Sequence, residues 1–118
     1  MPTIKRKKIE IDAAGQTPGR LASRIAMILM GKTKVGYRTH IDSGDKIIVS
    51  NVKDMKFTGK KIDQKLYRHH SMHPGGLKEI PAKKMMDEKP EDVLRHAVAC
   101  MIPKNKLRTA RMLRLKFN

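Results

Sequence analysis

The pattern of apolar and polar residues predicts a strand followed by a helix at the start of the chain. Ile9 and Ile11 alternate with acidic residues, which is the period of a short strand, and a turn ending at Gly15 follows. Thr17 and Pro18 suit the first positions of a helix, and Gly31 suits the left-handed position after its last turn. Between these ends, one apolar stripe recurs at helical spacing, made of Leu21, Ala22, Ile25, Ile28 and Leu29.

The middle of the chain predicts a buried strand. Ile47-Ile48-Val49 is a continuous β-branched run flanked by charge, which is typical of a strand buried on both faces. Such a strand favours a central parallel or mixed sheet. The less regular segment that follows it ends in the turn Thr58-Gly59.

The last third of the chain predicts further helices and a terminal strand. Pro90 begins a helix that Pro103 stops, and a weaker helix is expected from Ala82 to Glu88. The helix after Pro90 has an apolar face of Val93, Leu94, Ala97, Val98 and Met101. A short helix from Asn105 to Met112 is then expected to pass into a strand in which Leu113, Leu115 and Phe117 alternate with cations. These elements indicate one layered α/β domain over residues 1–118, with basic segments at both ends.

The charge of the chain points to a polyanionic partner. Lys and Arg number 27 against 11 for Asp and Glu, which gives a formal charge of +16 and a pI near 10.4. Aromatic residues make up only 3% and Trp is absent, so phosphate contact is favoured over base stacking. One Cys allows no internal disulfide, and no apolar run has the length of a membrane span or signal core. A soluble protein of a reducing cytosol, without a membrane partner, is therefore expected.

Cations concentrate in three segments that we interpret as phosphate-binding. The peptide from Lys65 to Lys78 places cations and imidazoles around Gly75-Gly76 and is interpreted as an RNA-clamping loop. Arg20 and Arg24 lie one turn apart on a polar helix face. The segment Lys104–Lys116 carries a cation every two or three residues and is expected to order against RNA, a preformed docked helix being the alternative. For Lys5–Lys8, a solvated terminus and phosphate binding are equally open.

Motifs for other kinds of chemistry are weak. Gly15 and Gly19 do not have the spacing of a dinucleotide fingerprint, and Gly31-Lys32-Thr33 would end a helix where a P-loop begins one. The histidines His69, His70 and His73, and the pair His96 and Cys100, have no recognised metal spacing. We expect Cys100 to pack on a helix face instead. We also expect the acidic residues to pair with or orient basic neighbours, not to act in catalysis: Asp42, Asp45, Asp54 and Asp63.

Collinear motifs over nearly the whole chain resemble the L-thirteen family of large-subunit ribosomal proteins. They are Asp12-Ala13-Ala14-Gly15, Gly19-Arg20-Leu21-Ala22-Ser23, Gly31-Lys32, Tyr37, His40-Ile41-Asp42-Ser43-Gly44-Asp45, Asn51, Thr58-Gly59-Lys60-Lys61, the loop from His70 to Gly76, Pro90-Glu91, Ala97-Val98 and Met101-Ile102-Pro103-Lys104-Asn105. Cys100 stands where Gly is usual in the family, and Arg108-Thr109 stands where Gly-Arg is usual. Many bacterial relatives also continue beyond the position of Asn118 with a His- and Pro-containing tail.

The resemblance implies a three-layer α/β/α domain with a mostly parallel central sheet. It also implies a cytoplasmic, non-catalytic protein of the large ribosomal subunit that binds its rRNA early in assembly, beside neighbouring ribosomal proteins. No cofactor, metal or small-molecule substrate is expected. A DNA-binding regulator or a nucleotide-dependent enzyme would need a recognition helix or a phosphate cradle that the sequence does not contain. The candidate RNA-binding residues are Arg20, Arg24, Lys32, Lys34, Arg38, His40, Lys60, Lys61, Lys65, Tyr67, Arg68, His69, His70, His73, Lys78, Lys104, Lys106, Arg108 and Arg111.

Overall fold

A three-stranded parallel sheet lies at the centre of the computed structural model, which describes residues 5–118 apart from the side chain of His69. Its strands are β1 (Lys8–Asp12), β2 (Lys46–Ser50) and β5 (Leu115–Phe117), with β2 in the middle. Ile9 lies opposite Ile47 in the register of β1 with β2. The predicted α/β class, with its mostly parallel sheet, is confirmed. The predicted basic amino terminus includes Met1–Ile4, which lie outside the described residues.

The helix α1 (Pro18–Met30) connects β1 to β2, as the sequence predicts. Thr17 precedes it with an extended backbone, and Gly31 ends it at a φ of 85°. The amides of Gly31 and Lys32 donate to the carbonyls of Ile28 and Met27, which satisfies the last turn of the helix. A Cβ on Gly44 would lie 1.7 Å from the carbonyl oxygen of Leu29, so the loop before β2 can approach α1 only at a glycine.

The chain between β2 and β5 contributes a hairpin and all the remaining helices described. A 3₁₀ turn (Val52–Asp54) and the short helix α2 (Lys61–Gln64) lead into the strands β3 (Leu66–His70) and β4 (Leu77–Pro81), which pair antiparallel. The helices α3 (Ala82–Glu88), α4 (Pro90–Met101) and α5 (Leu107–Leu113) follow. Within residues 5–118, no helix combines the length and apolar character needed to cross a membrane.

The core lies between one face of the sheet and the helices α1 and α4. Ile47 and Val49 of β2 are fully buried against it, together with Leu21 and Ile25 of α1 and Leu94 and Val98 of α4. Each such side chain contributes about 1.5–3 kcal/mol on burial. Ile48 points to the other face of the sheet and is only half-buried, so β2 is less enclosed there than predicted. Met101 was predicted on the apolar face of α4 but is exposed.

The carboxyl-terminal segment packs against the central sheet. β5 pairs in parallel with β2, and Leu115 at its start is buried. This packing is what the preformed, docked alternative predicts, whereas ordering of the segment against RNA stays a prediction. Leu113 was predicted in the strand, but it ends α5 and is 66% exposed. Arg111 of the same helix turns inward, and helical geometry then directs Leu113 to the opposite side.

Candidate nucleic-acid interface

The segment predicted as an RNA-clamping loop is a β-hairpin, with His73 in the turn at its tip. β3 and β4 pair so that Arg68 lies opposite Glu79, and their side chains form an exposed ion pair at 3.3 Å. The Gly75-Gly76 turn closes the hairpin, with Gly75 at a φ of 75°. The interpretation as a loop is therefore wrong. The two strands are polar and lack the apolar alternation that predicts a strand. The only sequence feature that indicated a hairpin was the glycine turn between Leu66-Tyr67 and Leu77.

The hairpin exposes most of its predicted RNA-binding side chains. His70, His73 and Lys78 are exposed together with Arg68, while the side chain of His69 lies outside the described part of the chain. Glu79 partly neutralises Arg68, but Lys78 has no salt-bridge partner among the described residues. Met72 at the tip and Leu77 on β4 are also exposed. The hairpin thus presents cations and apolar groups on a narrow two-stranded arm.

A cleft of about 650 Å³ lies between the start of α1, the segment from Phe57 to Tyr67, and α4, and we call it the basic cleft. Three of the predicted cations line it, namely Arg20, Lys61 and Lys65. No carboxylate of the described residues is part of the lining. Because Lys65 and Tyr67 belong both to the cleft and to the base of the hairpin, the two features form one continuous surface.

Tyr67 lies in the basic cleft beside His96 of α4. The two rings meet edge to face, with centroids 5.5 Å apart and planes at 89°. The ammonium of Lys65 lies 5.3 Å from the centre of the Tyr67 ring, within the range of a cation–π contact. Burial raises the pKa of the Tyr67 hydroxyl above its ordinary value of 10.0, which already lies well above neutral pH, so the hydroxyl can donate a hydrogen bond there.

The amino end of α1 opens onto the same cleft. Helix geometry leaves the first amides of α1 without intrahelical acceptors, and the side chain of Thr17 makes no capping hydrogen bond. A Cβ on Gly19 would meet nothing within 4 Å, so the structure is open beside this residue. Arg20 and Arg24 are both exposed on α1, one turn apart. This end of the helix can therefore add amide donors to the cations of the cleft.

The segment between α1 and β2 divides its cations between solvent and protein. Lys32, Arg38 and His40 are exposed. Lys34 instead forms an ion pair with Asp45 at 2.9 Å and donates to the carbonyl of Lys5. Although burial acts to raise it, the pKa of Asp45 is held below its ordinary value by the amide of Lys7 and the ammonium of Lys34 together. Lys34 is therefore engaged in the fold.

The carboxyl-terminal cations are likewise divided. Lys104 and Lys106 are exposed, and Arg108 is half-buried. Lys60, just before α2, is also exposed. Arg111 is only 2% exposed, and its Nε lies 3.6 Å from Oδ1 of Asp42. Arg111 was predicted to bind RNA, but it is buried and pairs with a carboxylate of the protein instead. The loop that carries Asp42 lies far from Arg111 in the sequence, so charge spacing alone did not reveal the pair.

Several acidic residues pair with cations or accept hydrogen bonds within the protein. The prediction that they pair with basic neighbours is confirmed for Asp42 and Asp45. Asp12 accepts hydrogen bonds from the amide of Ala14 and from the side chain of Asn51, and these bonds lower the pKa of its carboxyl. No ion pair of Asp54 or Asp63 occurs among the described residues.

A metal centre finds no support in residues 5–118. No group of three His, Cys, Asp or Glu side chains there could hold a metal ion. Cys100 was expected to be packed, but it is exposed, with its Sγ 3.8 Å from Nε2 of His96. Both residues line the basic cleft, as do Phe57 and Met101. None of these four residues was predicted as part of the site, because only the fold brings Phe57 and α4 together with the base of the hairpin.

Comparison with known proteins identifies close relatives of the chain. A family model described as Ribosomal protein L13 matches residues 6–117. The chain is 50% identical over 113 residues to the large ribosomal subunit protein uL13 of Clostridioides difficile (strain 630), covering 96% of this chain and 79% of that relative. The same values hold for uL13 of Thermoanaerobacter sp. (strain X514). For uL13 of Lachnoclostridium phytofermentans the identity is 52% over 105 residues, or 89% and 73% of the two chains.

Proposed function

Because the chain belongs to the ribosomal protein L13 family, we propose that it is a structural constituent of the large ribosomal subunit that binds large-subunit rRNA mainly through phosphate contacts. The whole of residues 1–118 acts as one domain with basic terminal segments. It works in the cytoplasm, within the subunit, and has no catalytic role and no cofactor. Neighbouring large-subunit proteins are its other partners.

The observation that carries the phosphate-binding proposal is the continuous cationic surface of the basic cleft and hairpin. Arg20, Lys61 and Lys65 line a cleft without a carboxylate among the described residues, and Arg68 and Lys78 extend this charge along the hairpin. Such cations attract a phosphate backbone without reading base sequence. Lys32, Arg38, His40, Lys104 and Lys106 are exposed elsewhere and add further contacts.

A role early in assembly is supported by the charge of the chain. At +16, self-repulsion opposes the compact state, and association with RNA phosphates relieves it. Binding to rRNA before many other proteins have joined the particle would neutralise this charge at once. Met72 and Leu77 on the hairpin then remain as exposed apolar groups for contact with neighbouring proteins.

Purification of the tagged chain from cells without nuclease tests this proposal. Large-subunit rRNA should co-elute with the chain, and the chain should sediment with large-subunit particles and their precursors in a sucrose gradient. A tagged version with Glu at positions 20, 68 and 78 serves as the matched variant and should be depleted from those fractions. If the unmodified chain sediments free of particles, or with small subunits alone, the proposal is wrong.

A further inference from the structure

The basic cleft contains two kinds of surface, whereas contact with a phosphate backbone requires only one. Its cationic part consists of Arg20, Lys61 and Lys65. The other part is apolar or aromatic and consists of Phe57, Tyr67, His96, Ala97 and Met101. A ligand that fills the cleft should therefore combine an anionic group with a flat, weakly polar one.

The geometry points to one unpaired nucleotide of the rRNA as the occupant of the basic cleft. This inference rests on the proposed function and specifies its ligand. The phosphate of the nucleotide lies against Arg20, Lys61 and Lys65, and its base lies against Tyr67 and His96. The cleft volume of about 650 Å³ falls in the range of sites that hold small organic ligands.

The aromatic part of the cleft favours an unpaired nucleotide over a purely double-helical ligand. In an RNA duplex the bases are stacked on one another, and only backbone and groove edges reach the protein. An unpaired base can leave its stack and lie against an aromatic side chain. Tyr67 is held for such a contact by its edge-to-face packing on His96. Lys65 is exposed, so its ammonium can move from the Tyr67 ring to a phosphate and leave the ring face to a base.

The charge of the cleft favours a nucleotide over an apolar side chain of a neighbouring protein. An apolar side chain would bring three cations out of water without a counter-charge, which is costly. A nucleotide brings its own phosphate to the same place. The absence of carboxylates among the described lining residues also leaves these cations without an internal partner in the cleft.

Two RNA hairpins that differ by a single extruded nucleotide test the inference. The extruded position carries the fluorescent base 2-aminopurine, and binding of the full chain is measured by titration at fixed salt. Stacking of one base predicts that the RNA with the extruded nucleotide binds about 5 to 150 times more tightly. The fluorescence of 2-aminopurine should also change on binding, as its stacking partners change.

The variants Tyr67→Leu and Tyr67→Phe separate stacking from fold. Tyr67→Leu fills similar space without an aromatic face and should abolish the preference for the extruded nucleotide, while Tyr67→Phe should retain it. Tyr37→Leu is the matched control, because Tyr37 is the other tyrosine of the chain and lies outside the cleft. Circular dichroism of each variant verifies that it is folded. The fluorescence measurement on the unmodified chain requires no variant at all.

The outcomes distinguish this inference from the proposed function. Equal affinity for the two hairpins, with salt-dependent binding to large-subunit rRNA intact, overturns the nucleotide site and leaves the proposed function standing. Saturable binding of free AMP or UMP without preference between the two hairpins would also overturn it, by assigning the cleft to a free nucleotide. If the chain binds no large-subunit rRNA at all, the proposed function itself fails.

Discussion

Arg114 and Asp42, 72 residues apart in the chain, form a two-pronged ion pair that joins the carboxyl-terminal segment to the loop before β2. Nη2 of Arg114 lies 2.7 Å from Oδ1 of Asp42 and 2.7 Å from the carbonyl oxygen of Leu29 at the end of α1. Arg111 approaches the same carboxylate from α5. Asp42 therefore holds two arginines of the carboxyl-terminal segment. From the sequence, this segment was predicted to be loosely held until it binds RNA.

Replacement of Asp42 by Ala should lower the free energy of unfolding by about 3–5 kcal/mol, because it leaves Arg111 and Arg114 largely buried without a counter-charge. Urea denaturation measures this loss. Asp63→Ala, at an exposed position on α2, is the control and should change stability by less than about 0.5 kcal/mol. Similar small losses for both variants would show that the arginines do not depend on Asp42.

The ion pair of Asp45 should make stability depend on pH in the acid range. Its pKa in the folded protein lies below the ordinary value of 3.8, so the unfolded chain binds the proton more readily. The stabilisation is therefore complete above pH 3.8 and is lost as the pH falls through the lower, folded pKa. Unfolding free energies measured along this range should fall less steeply in Asp45→Asn. An unchanged slope in that variant contradicts the assignment.

Amide exchange should find β5 protected without RNA. The backbone of β5 pairs with β2, and the amide of Asn118 donates to the carbonyl of Val49. Because these bonds join β5 to β2 and involve no RNA group, protection of residues 115–118 should be similar with and without rRNA. Protection that appears only when RNA is added would contradict this expectation and confirm the prediction of folding on binding.

Charge reversal of Arg20, Arg68 and Lys78 to Glu should weaken binding to large-subunit rRNA while the circular dichroism spectrum stays unchanged. Each lost phosphate contact should also reduce the slope of log affinity against log salt by about 0.7 to 0.9, taking the values for single-stranded and duplex nucleic acid as a guide. A control with the same net charge carries Glu at Lys46, Lys53 and Lys84, which are exposed and do not line the basic cleft. Equal weakening in both proteins would indicate a non-specific charge effect.

The sequence predicted those parts of the fold whose causes are local. The stripe of α1, its Gly31 end and the β-branched run of β2 follow from the residues themselves, and all occur in the structure. Whether each arginine is exposed or buried could not be predicted from its neighbours in the sequence. Arg24 and Arg111 look alike in the sequence, yet one is exposed and the other faces Asp42. Burial of a cation depends on a carboxylate that only the tertiary fold brings near.

In the candidate site, too, some features could be predicted from local sequence and others depend on the tertiary fold. Arg20, Lys61 and Lys65 were predicted from charge, and the structure gathers them around one cleft. The partner of Tyr67 was not predicted, because His96 lies on α4 and meets the hairpin only after both have packed. Sequence spacing identifies charges and periodic faces, whereas a cleft between three separate segments requires the packed core beneath it.

The most direct test of the proposed function compares the affinity of the chain for large-subunit and small-subunit rRNA across a range of salt concentrations. Contact with about six to ten phosphates predicts that binding to large-subunit rRNA weakens about a thousandfold or more between roughly 50 and 200 mM salt. The affinity for large-subunit rRNA should remain the higher of the two throughout. A flat salt response, or equal affinity for both rRNAs, would contradict the account.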